Sequence, residues 1–107
     1  MDKLVIEGGH RLSGSIKISG AKNSALPLLA SGLMCSGTFK LRNVPLLADT
    51  ASMIALIEYL GVQTKRIDDE VSIIGEASIL DAPYEQVRKM RASILVLGPL
   101  LARYGSV

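Results

Sequence analysis

With 107 residues, 49% of them hydrophobic and 21% charged, the chain has room for one modest core and is not a disordered tail. A formal net charge of +2 is too small to argue for nucleic acid, and the single cysteine, Cys35, excludes an internal disulfide and fits a reducing compartment. Trp is absent and the only aromatics are Phe39, Tyr59, Tyr84 and Tyr104, so the core is expected to be aliphatic.

Taken in chain order, Leu4-Val5-Ile6 and Ser15-Ile16-Lys17-Ile18 are β-prone runs separated by Gly8, Gly9, Ser13 and Gly14, which predicts a loop-connected strand pair. Ala25 to Met34 is apolar on nearly every face and reads as a buried helix, with Ser24 as its N-cap and Pro27 in its first turn. Thr38 to Arg42 alternates at period two and predicts a strand, which Asn43-Val44-Pro45 ends. Asp49 can cap a second helix, in which Met53, Ile54, Ile57 and Leu60 recur at helical spacing and Gly61 is the residue just past the end. Val62 to Ile67 and Val71 to Ile74 form a hairpin around Asp68-Asp69-Glu70. A further helix starts near Tyr84, breaks around Met90 to Ser93, and bends again at Gly98-Pro99. The result is an α+β chain whose strand–helix–strand–helix–strand–strand unit spans about residues 15–75, with helices on one face of a sheet.

No apolar h-region follows Met1-Asp2-Lys3, and the longest apolar stretch, Ile94 to Ala102, is far short of a membrane span and contains Gly98-Pro99. The reading is a soluble, cytoplasmic protein. Residues Ala92 to Tyr104 are so apolar that they need a partner layer, and the expectation is an N-terminal portion of a larger protein.

Two stretches could carry chemistry. In Ile18-Ser19-Gly20-Ala21-Lys22-Asn23-Ser24 a strand ends in a glycine turn that feeds a helix start, where free N–H groups, the helix dipole and Lys22 would welcome phosphate or carboxylate, with Asn23 beside them. A plain turn with an exposed lysine fits the same residues, and the Walker A spacing is absent. In Arg88-Lys89-Met90-Arg91-Ala92-Ser93, Arg91 borders the apolar Ile94-Leu95-Val96-Leu97 run and could clamp an anion, whereas Arg88 and Lys89 read as a solvated basic face. One His and one Cys supply neither a metal-ligand cluster nor a Ser–His–Asp set.

These stretches together resemble the enolpyruvyl (carboxyvinyl) transferases, and within them the UDP-N-acetylglucosamine 1-carboxyvinyltransferases. The matching residues are Ile18 to Pro27, Asn43-Val44-Pro45, Leu60-Gly61, Ala82-Pro83-Tyr84, Met90 to Ile94 and Leu97 to Leu100, in family order and spacing along the whole chain. The sister enzymes that make enolpyruvylshikimate phosphate carry an acidic residue and a serine around the corresponding lysine, so Ala21 and Asn23 favour the UDP-sugar branch.

The resemblance implies an inside-out α/β barrel of repeated βαβαββ units, with helices enclosed by sheets. It implies transfer of the enolpyruvyl group of phosphoenolpyruvate to the 3′-hydroxyl of UDP-N-acetylglucosamine, releasing phosphate, as the first committed step of bacterial peptidoglycan synthesis. Lys22 and Asp49 match catalytic-site positions. Lys22 and Asn23 match the phosphoenolpyruvate site, and Arg91 matches the UDP-N-acetylglucosamine site. No cofactor or metal, no nucleic acid and no membrane partner is implied, and the full-length enzyme would be a monomer. Leu95 departs from members that carry a large aromatic there. The family's catalytic cysteine lies on a loop that would follow Val107; Cys35 does not match it, so the 107 residues alone are expected to be inactive. The rival reading is a free-standing anion- or RNA-binding module, against which stands the scarcity of strand aromatics, Phe39 being the only clear one.

Overall fold

A computed structural model describes residues 2–107. Its centre is a three-stranded antiparallel sheet in the order β1-β3-β2, formed by β1 (Thr38–Leu41), β2 (Gln63–Ile67) and β3 (Glu70–Ile74). Phe39 lies opposite Ile73, and Leu41 opposite Val71, so the period-two pattern of β1 and β3 delivers these four apolar residues to one face, while Ile67 and Ile74 fall on the other and stay exposed. On β3 that face is closed: Val71 and Ile73 are buried, while Glu70 and Ser72 point the other way. Two helices cover it. In α1 (Lys22–Ser31) the buried residues are Ala25, Leu26, Leu29 and Ala30; in α2 (Ala48–Tyr59) they are Thr50, Met53, Leu56 and Ile57. The result is the aliphatic core that the composition requires, with helices on one side of a sheet.

The ends of α2 show how local chemistry sets the frame. At its C-terminus the Gly61 N–H donates to the Glu58 carbonyl at 3.0 Å and the Val62 N–H to the Ile57 carbonyl at 3.4 Å, with Gly61 at φ +95°. This is a Schellman motif, and it turns the chain directly into β2. A side chain at residue 61 would also strike the Ser78 hydroxyl, 2.1 Å from an ideal Cβ. Beyond the sheet the chain forms a short helix α3 (Tyr84–Val87), a 3₁₀ segment (Arg91–Val96) and α4 (Leu97–Tyr104). Arg103 on α4 donates to the carbonyls of Leu33 (2.9 Å) and Cys35 (2.6 Å), closing the C-terminal end of the α1 layer, and pairs with Glu76 at 2.9 Å.

Several expectations need correction. The runs at 4–6 and 15–18 form no strands: residues 2–19 are exposed throughout, with Leu4 85%, Ile6 80% and Ile16 85% accessible. An isolated strand pair has neither backbone partners nor a covered face, and β-propensity alone does not hold it. The radius of gyration, 17.2 Å, exceeds the roughly 13 Å of a compact chain near this length because of this arm. The unit expected over 15–75 is therefore formed as helix–strand–helix–strand–strand, without its first strand. Helix α1 starts at Lys22, three residues before the expected start, so Ala21 rather than Ser24 is the N-cap and Pro27 falls in the second turn. Nor is the helix buried all round, since Pro27 and Leu28 are exposed and its last residues tighten into a 3₁₀ turn, Gly32–Met34. Leu47 occupies the N-cap of α2, and Asp49 lies in its first turn instead. Glu70 belongs to β3, leaving a two-residue turn at Asp68-Asp69. Finally, Gly98-Pro99 opens α4 rather than bending it: Pro99 sits in the first turn, where its missing N–H is harmless. No helix among the described residues is long and apolar enough to cross a membrane.

Candidate functional site

The site begins at a close approach of two backbones. An ideal Cβ on Gly20 would lie 1.8 Å from the Asn43 carbonyl oxygen, so only glycine lets the segment before α1 pass the loop that follows β1. Asn43, in a left-handed conformation at φ 59°, donates its side-chain amide to the Ile18 carbonyl at 3.1 Å. That loop is itself fixed. The Val44 N–H reaches the Asp69 carbonyl (2.9 Å), and Arg66 donates to the Val44 carbonyl (2.7 Å).

Thr50, fully buried, completes the frame. Its hydroxyl accepts the Leu47 N–H at 3.1 Å and shares its one proton between the carbonyls of Pro45 and Leu47, each at 2.8 Å. It satisfies the N-terminus of α2 from the third helical position, because leucine at the cap has no acceptor to offer.

These constraints set the starts of α1 and α2 side by side. The first N–H of α1 taken by the backbone is that of Ala25, which donates to Ala21 at 2.9 Å; the N–H groups ahead of it face outward. The first turn of α1 holds no acidic residue, and it holds Lys22. Positive charge at the positive end of a helix is unfavourable unless an anion answers it. Asp49, from the first turn of α2, supplies that anion: its carboxylate lies 3.1 Å from the Lys22 ammonium. Both side chains remain substantially exposed, 48% and 39%, and a pair that open contributes at most about 1 kcal/mol. An incoming phosphate or carboxylate can therefore compete for Lys22.

A recess of about 310 Å³ opens over this pair, lined by Lys22, Asn23, Asp49, Lys89, Arg91 and neighbouring apolar residues Leu26, Met90 and Ala92. All four residues singled out in the sequence thus meet at one place. Arg91 opens the 3₁₀ segment, is exposed, and takes part in no ion pair among the described residues. Lys22, Lys89 and Arg91 against Asp49 leave the recess with an excess of two positive charges, a setting for a small dianion. Arg88 is as expected from a solvated face: it pairs with Glu85 at 3.0 Å and lies over the Tyr84 ring. Lys89 is exposed as that face requires, and it also borders the recess, which nothing in its spacing foretells. Thr50 carries no signal in the sequence, and Gly20 reads there only as a turn, because the Thr50 hydrogen bonds and the Gly20–Asn43 approach depend on how the chain folds back. Leu95 does not line this recess.

Comparison with known proteins places the chain as a whole. Residues 6–107 match the profile of EPSP synthase (3-phosphoshikimate 1-carboxyvinyltransferase). The chain is 53% identical over 107 residues to the UDP-N-acetylglucosamine 1-carboxyvinyltransferase of Prosthecochloris aestuarii, covering 98% of this chain and 25% of that one. It is likewise 53% identical to the enzyme of the same name from Granulibacter bethesdensis, over 98% of this chain and 26% of the relative. The chain thus spans about a quarter of the length of the curated relatives it matches. Among solved structures, the enolpyruvyl transferase NikO from Streptomyces tendae superposes with a TM-score of 0.73 at 25% identity, over 92% of this chain and 23% of that one. A superposition at TM-score 0.73, a profile match along nearly the whole sequence and relatives identical at 53% of positions lead to one assignment: the chain belongs to the EPSP synthase (3-phosphoshikimate 1-carboxyvinyltransferase) family.

Proposed function

We propose that the full-length protein transfers the enolpyruvyl group of phosphoenolpyruvate to the 3′-hydroxyl of UDP-N-acetylglucosamine and releases phosphate, in the bacterial cytoplasm. The single observation that carries this reading is the convergence of Lys22, Asn23, Asp49 and Arg91 on one electropositive recess. The names of relatives at 53% identity select the UDP-sugar acceptor over shikimate phosphate.

In this reading Lys22 leaves Asp49 for the phosphate or carboxylate of phosphoenolpyruvate, with the outward N–H groups of α1 and the Asn23 amide beside it. The sugar 3′-oxygen adds to C2 of the enol while C3 gains a proton, giving a tetrahedral adduct; loss of phosphate and of a C3 proton restores the double bond. Lys22 stabilises the anion through both steps by its fixed charge. Asp49 holds the ammonium in place when the site is empty. Arg91 takes an anionic or hydrogen-bonding group of the sugar nucleotide. A recess of about 310 Å³ is at the small end for a ligand site, enough for phosphoenolpyruvate but not for a sugar nucleotide as well. The remaining contacts then come from outside this chain, and the 107 residues alone turn over nothing.

Phosphate release by the full-length protein, measured with each substrate alone and with both, tests the reading. Release requiring both substrates is the expected result, with none from the 107-residue chain. Release with shikimate 3-phosphate in place of the UDP-sugar would move the protein to the sister activity. The RNA-binding rival finds little support, because Phe39 packs against the core and offers no open stacking face.

A further inference from the structure

Arg91 projects from a turn whose backbone is gripped by one buried side chain. Ser93, 3% exposed, donates its N–H to the Met90 carbonyl at 3.1 Å, and its hydroxyl lies 2.7 Å from that same carbonyl and 3.0 Å from the carbonyl of Val87. The peptide that joins Met90 to Arg91 is thus held at its oxygen by two groups of one residue. Met90 is itself buried, which pins the other side of that peptide. Packing alone does not call for this hydroxyl: alanine would fill the space with no polar group in need of a partner, whereas a buried hydroxyl is tolerated only when bonded.

The consequence falls on Arg91, whose long side chain has no partner of its own to orient it among the described residues. Fixing its root lowers the entropy lost when the guanidinium engages a ligand. We propose that Ser93 is a positioning residue for Arg91, aligning it for the sugar nucleotide without touching the ligand. The inference rests on the transferase reading for its ligand.

The test is a double-mutant cycle in the full-length protein. UDP-N-acetylglucosamine affinity is measured by calorimetry, and KM and kcat by phosphate release, for wild type, Ser93→Ala, Arg91→Ala and the double variant. Ser93→Ala is expected to weaken sugar-nucleotide binding by roughly tenfold, a coupling usual for residues acting through one another, with the KM for phosphoenolpyruvate unchanged. On the Arg91→Ala background the same change should cause no further loss. Val96→Ala, a buried neighbour on the same 3₁₀ segment, controls for loosened packing and should lower Tm without weakening the sugar nucleotide. The proposal is overturned if Ser93→Ala leaves affinity intact, if its effect is equal on both Arg91 backgrounds, or if Val96→Ala reproduces it. A wild-type protein that neither binds the sugar nucleotide nor releases phosphate would sink the transferase reading, and this inference with it. Normal wild-type turnover without coupling would remove the inference alone.

Discussion

Residues 2–19 and residues 20–75 are written in similar chemistry and end in opposite states. Ile16 and Ile18 in the first stretch are 85% and 75% exposed, whereas Val71 and Ile73 in the second are 0% and 1% exposed. Both stretches alternate β-branched residues with polar ones. What differs is company: β3 has a strand on each side and two helices over its face, while the arm has an ion pair between Lys17 and Asp69 and one hydrogen bond from Asn43 to Ile18. A strand is therefore a property of its neighbours as much as of its own residues.

Substitutions in the two regions probe this difference, the most destabilising first. Leu29→Ala removes a fully buried side chain from the packed region and should destabilise the 107-residue chain by about 2–5 kcal/mol in urea titration. Ile16→Ala in the arm should change it by less than about 0.5 kcal/mol. Equal losses would mean that the arm has packing partners of its own. Next comes Gly20→Ala, at the junction of the two regions. The new methyl meets the Asn43 carbonyl, so the backbone must yield, at about 1–3 kcal/mol of stability. In the full-length protein this change should also raise the KM for phosphoenolpyruvate, because Lys22 follows two residues later.

Thr50→Val keeps the shape and deletes the hydroxyl that serves Pro45 and Leu47, and should lower stability by about 1–3 kcal/mol, read as a shift in the urea midpoint. The smallest effect belongs to the tether of the arm. Lys17 beside Asp69, first through their hydrogen bond and then through its charge, holds the Asp69 carboxyl below its ordinary value of 3.8. A lowered folded-state value means that the tether's contribution is present above pH 3.8 and is lost as the pH falls through that lower value. The stability gap between wild type and Asp69→Asn should thus be constant above that point and shrink below it. A gap that widens on acidification would contradict this sign.

Much of the packed region was legible in the sequence because its signals are local. Gly61 marks the end of α2 because, lacking a Cβ, it takes the left-handed backbone there at no cost, and the Asp68-Asp69 turn marks the hairpin. The cap assignments failed for a physical reason. Ser24 and Asp49 are the residue types that cap helices, but the chain reaches helical geometry earlier in both cases, at Lys22 and Ala48, because the Gly20–Asn43 contact and the Thr50 hydroxyl fix those starts from a distance. The same long-range constraint brings Lys22, Asp49 and Arg91 together. Residue types and the resemblance named these side chains, yet nothing in their spacing shows that α1, α2 and the turn after α3 share a recess.

The proposed function makes this recess one anion site with two duties, Lys22 serving phosphoenolpyruvate and Arg91 serving the sugar nucleotide. Steady-state kinetics of Lys22→Ala and Arg91→Ala in the full-length protein tests it most directly. A split is expected: Lys22→Ala lowers kcat and kcat/KM for phosphoenolpyruvate by a factor on the order of 100 or more, whereas Arg91→Ala chiefly raises the KM for UDP-N-acetylglucosamine. Wild-type kinetics from both variants, or identical losses for both substrates, would contradict it.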